Sequence, residues 1–188
     1  MQKELLQATK KIKQWAAKQK VLDVMIFGSA VRGKSSPKDM DLCIIIEDKD
    51  EEKSIDLADS LGSLLDRSAL KPHISILTAS ACMAGNTLVK TLLNEGFSIK
   101  KNRNFSSAFG FENKSLFIYT LKKFTPAKRV QFHYMLRGRY GAKGILNEAQ
   151  GVILGTGTIL VPTEKEDLLK EVFDRWGVKY EIKRALLG

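Results

Sequence analysis

The stretch from Leu22 to Ile46, LDVMIFGSAVRGKSSPKDMDLCIII, narrows the folds open to this chain more than any other part of it. A β-branched and aromatic run breaks at Gly28-Ser29, nine residues follow, and an apolar run resumes after Asp39-Met40-Asp41. Val21 to Phe27 reads as one strand. Leu42 to Ile46, nearly all apolar, reads as a second strand covered on both faces. Side chains two apart on a strand share a face, so Asp39 and Asp41 look the same way. Two carboxylates that close repel each other, and a cation between them relieves the repulsion. Magnesium suits such a pair, because it is usually shared between one or two carboxylates and substrate phosphates. Gly28 permits a sharp turn and close approach to the backbone. Ser29 offers a hydroxyl and an amide at the start of a short helix or turn over Ala30 to Lys34, where an anion would be favoured.

Around this unit the chain supplies helices for both faces of a sheet. Leu5, Ala8, Ile12, Trp15 and Ala16 fall at helical spacing within residues 2–20, and Lys10, Lys11, Lys13, Lys18 and Lys20 form its solvated face or, in the minority reading, a face toward phosphates. Ser35 to Lys38 is expected to be a loop and Glu47 to Glu52 an acidic connection. Ile55, Ala58, Leu61, Leu64 and Leu65 then mark a second helix. After Pro72, His73 to Leu77 alternates as a third strand, with Ile74 and Ile76 on one face and His73 and Ser75 on the other. Thr78 or Ser80 caps a helix that carries Leu88, Leu92 and Leu93 and stops at Gly96, and Phe97 to Lys101 is a short strand. Residues 1–101 thus make an α/β domain whose mixed sheet is flanked by helices, 102–112 a linker or docking loop, and 113–188 a small basic α+β domain.

Charge separates the two halves. Residues 1–100 hold 15 Lys/Arg against 13 Asp/Glu, whereas residues 101–188 hold 16 against 8, so most of the net +10 lies in the second half. Thr125-Pro126 opens a helix over Ala127 to Arg137, with Val130, Tyr134 and Met135 facing a core and Lys128, Arg129 and Arg137 wet. Arg137-Gly138-Arg139-Tyr140-Gly141-Ala142-Lys143 is a cationic loop suited to a phosphate backbone, and Tyr140 to stacking on an unpaired base. A short helix over Ile145 to Ala149, a hairpin around Gly155-Thr156-Gly157, a capping box Thr163/Glu166 and a terminal strand Val178 to Leu187 complete this half. It reads as a generic α+β module or a winged helix-turn-helix variant.

Gly28, Ser29, Asp39 and Asp41 are the residues through which the chain resembles the DNA polymerase β-like nucleotidyltransferases, whose signature is Gly-Ser, a spacer of roughly ten residues and Asp-x-Asp entering a strand. Arg32-Gly33 and Pro37 look most like the "minimal" nucleotidyltransferase type of bacteria and archaea. The resemblance covers residues 20–100. It implies transfer of a nucleoside monophosphate from an NTP to an acceptor hydroxyl, with magnesium or manganese on Asp39 and Asp41, the triphosphate at Gly28 and Ser29, and Arg32 near a phosphate or paired with a loop acid. Full-activity members carry a third carboxylate on the strand where this chain holds His73 and Ser75. His73 is then a candidate general base beside the acceptor, or a strand-edge histidine with a structural hydrogen bond.

Three functions follow as expectations. The first is an enzyme whose basic half presents RNA of tRNA type, with Lys128, Arg129, Arg137, Arg139, Tyr140 and Lys143 as contacts. The second is a nucleotide- and nucleic-acid-binding or regulatory protein without catalysis. The third is an enzyme that transfers AMP to an acidic protein partner. Cys43 and Cys82 have neither metal-ligand nor disulfide spacing, and no run of ~18 apolar residues occurs, so a soluble cytoplasmic protein is expected.

Overall fold

The computed structural model describes residues 2–33, 39–48, 50–66 and 71–188 and divides into two compact units, Met1–Phe111 and Glu112–Gly188. The expected loop Ser35 to Lys38 lies outside the described residues.

In the first unit, helix α1 (Gln2–Lys18) leads into strand β1 (Asp23–Phe27). A 3₁₀ turn (Gly28–Ala30) precedes strand β2 (Asp39–Ile46), helix α2 (Glu51–Leu65) and strand β3 (Lys71–Thr78). Helices α3 (Ala79–Ala84) and α4 (Thr87–Glu95) and the short strands β4 (Phe97–Ser98) and β5 (Arg103–Asn104) follow. The strands form one mixed sheet in the order β3-β2-β1-β4-β5, parallel only between β2 and β3. Pro72 is accommodated because β3 is an edge strand.

Strand β2 is buried on both faces, as its unbroken apolar run requires. Met40, Leu42, Ile44 and Ile46 pack with Ile12 and Ala16 of α1 and Leu61 and Leu65 of α2. Cys43 and Ile45 pack on the opposite side with Met25, Leu77, Val89 and Leu92. Trp15 Nε1 donates to Ser60 Oγ at 3.0 Å, satisfying the one polar atom of a largely buried indole and tying α1 to α2. Asp23 is buried at the far end of β1, where Ser98 Oγ donates to both of its oxygens at 2.7 and 2.9 Å.

Two expectations fail here. The helix foreseen from Thr78 to Gly96 is broken, because Gly85 takes a φ of 71° and Asn86 caps a new helix by accepting from the Val89 N–H. Of the linker or docking loop foreseen at 102–112, the part up to Phe111 belongs to the first unit and is not a separate segment. Residues 103–104 pair with β4, Phe105 joins the core around Met25 and Cys43, and the division between units falls after Phe111.

The second unit runs strand β6 (Glu112–Thr120), helix α5 (Pro126–Arg137), helix α6 (Ile145–Glu148), strands β7 (Val152–Gly155) and β8 (Thr158–Pro162), helix α7 (Glu166–Trp176) and strand β9 (Lys179–Leu187). Its sheet, in the order β7-β8-β6-β9, is antiparallel throughout. This is a split βαβ arrangement, β-α-β-β-α-β, rather than a winged helix. One core joins Phe117, Ile159 and Val161 of the sheet to Phe132 and Leu136 of α5 and Leu169 and Phe173 of α7, so both long helices cover one face. Phe173 is its hub, with ring centroids 5.2–5.5 Å from those of Phe117, Tyr119, Phe132 and Tyr180.

The α5 phase differs from the expected one. Phe132 and Leu136 are buried, whereas Val130 and Tyr134 are 48% and 42% exposed. Nor does Glu166 close a capping box. Its buried carboxylate accepts from Ser115 Oγ at 2.7 Å and from Arg184 Nε and Nη2 at 3.0 Å each, which ties α7 to strands β6 and β9.

Candidate functional site

Phe27 ends β1, and the chain turns at Gly28 with a φ of 73°. The N–H groups of Val31 and Arg32 both donate to the Gly28 carbonyl, at 3.1 and 3.3 Å, so of the short helix or turn expected here a tight turn is seen, Lys34 lying outside the described residues. Glycine is needed there twice over. Its φ is one that other residues rarely adopt, and a methyl group on its Cα would overlap Oδ2 of Asp41. Asp41 is held against this turn by register, since on β2 it stands directly between Phe27 of β1 and His73 of β3. The carboxylate has two different neighbours: Oδ2 lies over Gly28, and Oδ1 lies 3.4 Å from Nδ1 of His73.

Asp39 shares the face of Asp41 by strand alternation and stands opposite Lys71 on β3. Ser29 is half-buried in the turn. The structure therefore gathers Gly28, Ser29, Asp41 and His73 at one edge of the sheet, with Asp39 next along the strand. It also shows which residue occupies the position beside the acids: His73 is opposite Asp41, while the half-buried Ser75 is opposite the core residue Cys43.

Arg32 is engaged elsewhere. Its Nη1 donates to Oε2 of Glu95 at 2.9 Å, and that carboxylate is almost wholly buried at the end of α4. Of the two roles foreseen for Arg32, an ion pair is the one seen, although its partner lies in a helix 63 residues away rather than in a loop. Glu95 and Lys71 are the residues that sequence reasoning passed over. Lys71 was detectable, being two residues before His73 on the same strand face; Glu95 was not, because only the fold brings it to Arg32.

The donor set fits a magnesium-type ion. It offers paired hard oxygens on one face, with the backbone beside Asp41 stripped to a glycine. Among the described residues no group of three or more His, Cys, Asp or Glu side chains is arranged to hold a metal. Magnesium does not need one, because waters and substrate phosphates complete its octahedron.

In the second unit, the six foreseen nucleic-acid contacts fall at the two ends of α5. Lys128 Nζ sits 4.2 Å above the Phe124 ring. Arg129 Nε donates to the carbonyls of Leu121 and Phe124, which pins the turn before the helix. At the other end Arg137 is exposed, and Arg139, Tyr140 and Lys143 lie in the loop that follows.

No helix among the described residues is long and apolar enough to cross a membrane. None of the curated proteins compared matches the chain. Among solved structures, a chain from the complex of tri-AMPylated Shewanella oneidensis HEPN toxin with MNT antitoxin is similar at 19% identity and a TM-score of 0.35, over 50% of this chain and 71% of that one. The profile of the polymerase beta nucleotidyltransferase family matches residues 10–104, half of the chain and the whole of the turn, the acid pair and β3. The chain belongs to that family.

Proposed function

We propose that the protein is a magnesium- or manganese-dependent nucleotidyltransferase that moves a nucleoside monophosphate from an NTP to a hydroxyl of an RNA acceptor. The observation that carries this reading is the seating of the Asp41 carboxylate directly on Gly28, which puts a metal-binding oxygen against the backbone turn that would hold the triphosphate. Asp39 and Asp41 would hold the ion; when bound, it neutralises phosphate charge and lowers the pKa of the attacking hydroxyl. Ser29 supplies a hydroxyl and an amide to the triphosphate, and the Arg32–Glu95 pair fixes the turn from behind.

His73 takes the place beside Asp41. With its Nδ1 turned to Asp41 Oδ1, its Nε2 is the nitrogen left to accept the proton of the acceptor hydroxyl. The acceptor oxygen then bonds to the α-phosphorus as the bond to pyrophosphate breaks.

Incubation of the full chain with labelled NTPs, magnesium and total RNA tests this. Label is expected on RNA and is expected to fall by about 1,000-fold or more in Asp41→Ala, with the fold retained by circular dichroism. A second reading is favoured by the histidine at the third position: a domain that binds metal and nucleotide without transfer. Saturable NTP binding with no label on RNA or protein would select it. Label on a protein instead of RNA would redirect the acceptor and leave the chemistry standing.

A further inference from the structure

Among the cavities of the described residues, one cleft of the second unit joins three cations to two large aromatic side chains. It measures about 840 Å³ and lies between the C-terminal part of α5, the loop 138–144 and the end of α7. Arg139, Lys143 and Arg175 converge on it against one acid, Glu148, and Trp176 and Tyr134 give it aromatic walls. Among the described residues none of the three cations pairs with a carboxylate.

The loop that presents two of these cations is fixed by its own backbone. Gly138 and Gly144 pass so close to neighbouring backbone that a methyl group on the first would overlap the Ala142 carbonyl and on the second the Leu136 carbonyl. Tyr140, between Arg139 and Gly141, takes a φ of 50°, which bulky residues rarely adopt, and the residue is 89% exposed. The Arg139 guanidinium is stacked between two rings, 4.6 Å from the Tyr134 centroid and 4.3 Å from that of Tyr140, and donates to Tyr140 Oη at 2.7 Å. A guanidinium ordered in this way loses little freedom on meeting a phosphate.

We infer that this cleft is a binding site for single-stranded nucleic acid, with phosphates on Arg139, Lys143 and Arg175 and an unpaired base stacked on Tyr140 or on the Trp176 indole. Cations alone would suit any polyanion. The exposed aromatic platform over an arginine is what selects a planar, unpaired base over a duplex or an acidic polypeptide. The inference deepens the reading above by naming how an RNA acceptor would be gripped, and it rests on that reading only for the acceptor's identity. Binding itself is measured without turnover.

The probe is a single-stranded RNA of about 10 nucleotides, titrated into full-length protein carrying Trp15→Phe so that Trp176 is the only indole. Quenching of Trp176 is expected, with affinity falling roughly 15-fold between about 50 and 200 mM salt, as release of about two counterions predicts. Arg139→Gln with Lys143→Gln is expected to weaken binding at least 10-fold, and Arg175→Gln, in the last turn of α7 and outside the loop, supplies an independent variant if the loop pair disturbs folding. Asp39→Ala is expected to abolish transfer and leave this binding unchanged, which separates failure of the cleft from failure of the enzyme reading. Unquenched Trp176, or equal affinity in the cleft variants, would overturn the proposal. So would equal competition by poly-glutamate, by duplex RNA or by ATP, which would make the cleft a protein, duplex or mononucleotide site. A matching single-stranded DNA decides whether the 2′-hydroxyl contributes.

Discussion

The two units place their chemistry differently in their sheets. In the first unit the sheet is covered on both faces, and the functional groups are confined to one edge, where β1 gives way to a turn and β2 enters with its acids. In the second unit the helices cover one face, and the candidate binding groups lie on a helix end and a loop outside the sheet altogether. The first arrangement ties function to backbone register, so that shifting β2 by one residue would turn both acids into the core. The second ties function to surface composition, which tolerates substitution one residue at a time.

That contrast can be broken from the second unit first. Phe173→Ala removes the ring at the centre of four others and is expected to cost about 3–5 kcal/mol, enough to unfold this unit while metal-dependent NTP binding by the first, which has its own cores, survives. Loss of both on one thermal transition would show that the units are energetically one. Next comes Gly28→Ala, which forces a methyl group onto the Asp41 carboxylate. Transfer is expected to fall about 100-fold for a stability loss of only about 1–2 kcal/mol. A variant as active as the parent would mean that the turn and the acid need not touch.

Thiol labelling comes third. Burial pushes the Cys43 thiol up to about 12 and also raises that of Cys82. The thiolate is the reactive form, and a raised pKa moves its appearance to higher pH. At pH about 8, Cys82 is therefore expected to label more slowly than a free thiol, and Cys43 only when the first unit opens. Phe173→Ala should leave the Cys43 rate unchanged. The smallest effect is expected for Val130→Ala on α5, within about 0.5 kcal/mol by chemical denaturation, because that side chain faces outward.

What was readable in the sequence follows the same division. Gly28, Ser29, Asp39, Asp41 and His73 were legible because their placement depends on local rules: a turn, strand alternation and a short parallel pairing. For Arg32 the sequence offered a phosphate or an acid as partner, but Glu95 itself was out of reach because it comes from α4, and nothing local announces that meeting. Glu166 was misread as a cap for a similar reason, since Arg184 takes its carboxylate from 18 residues further on. On α5, Val130, Phe132, Tyr134, Met135 and Leu136 are compatible with two helical phases, and the rings of Phe173 and Trp176 decide for Phe132. The strand order of the second unit was out of reach, because β6 pairs with β9 from Glu112↔Leu187 to Thr120↔Lys179, across nearly the whole unit.

The position of β3 has a consequence for access. It is the outermost strand beside the acids, and it opens with Lys71 and Pro72, a charge and a residue without an amide hydrogen. Both discourage a stray extended chain from zipping onto that border. A rim ill-suited to strand pairing stays open to an incoming molecule, so the same short dipeptide also leaves the doorway to His73 clear.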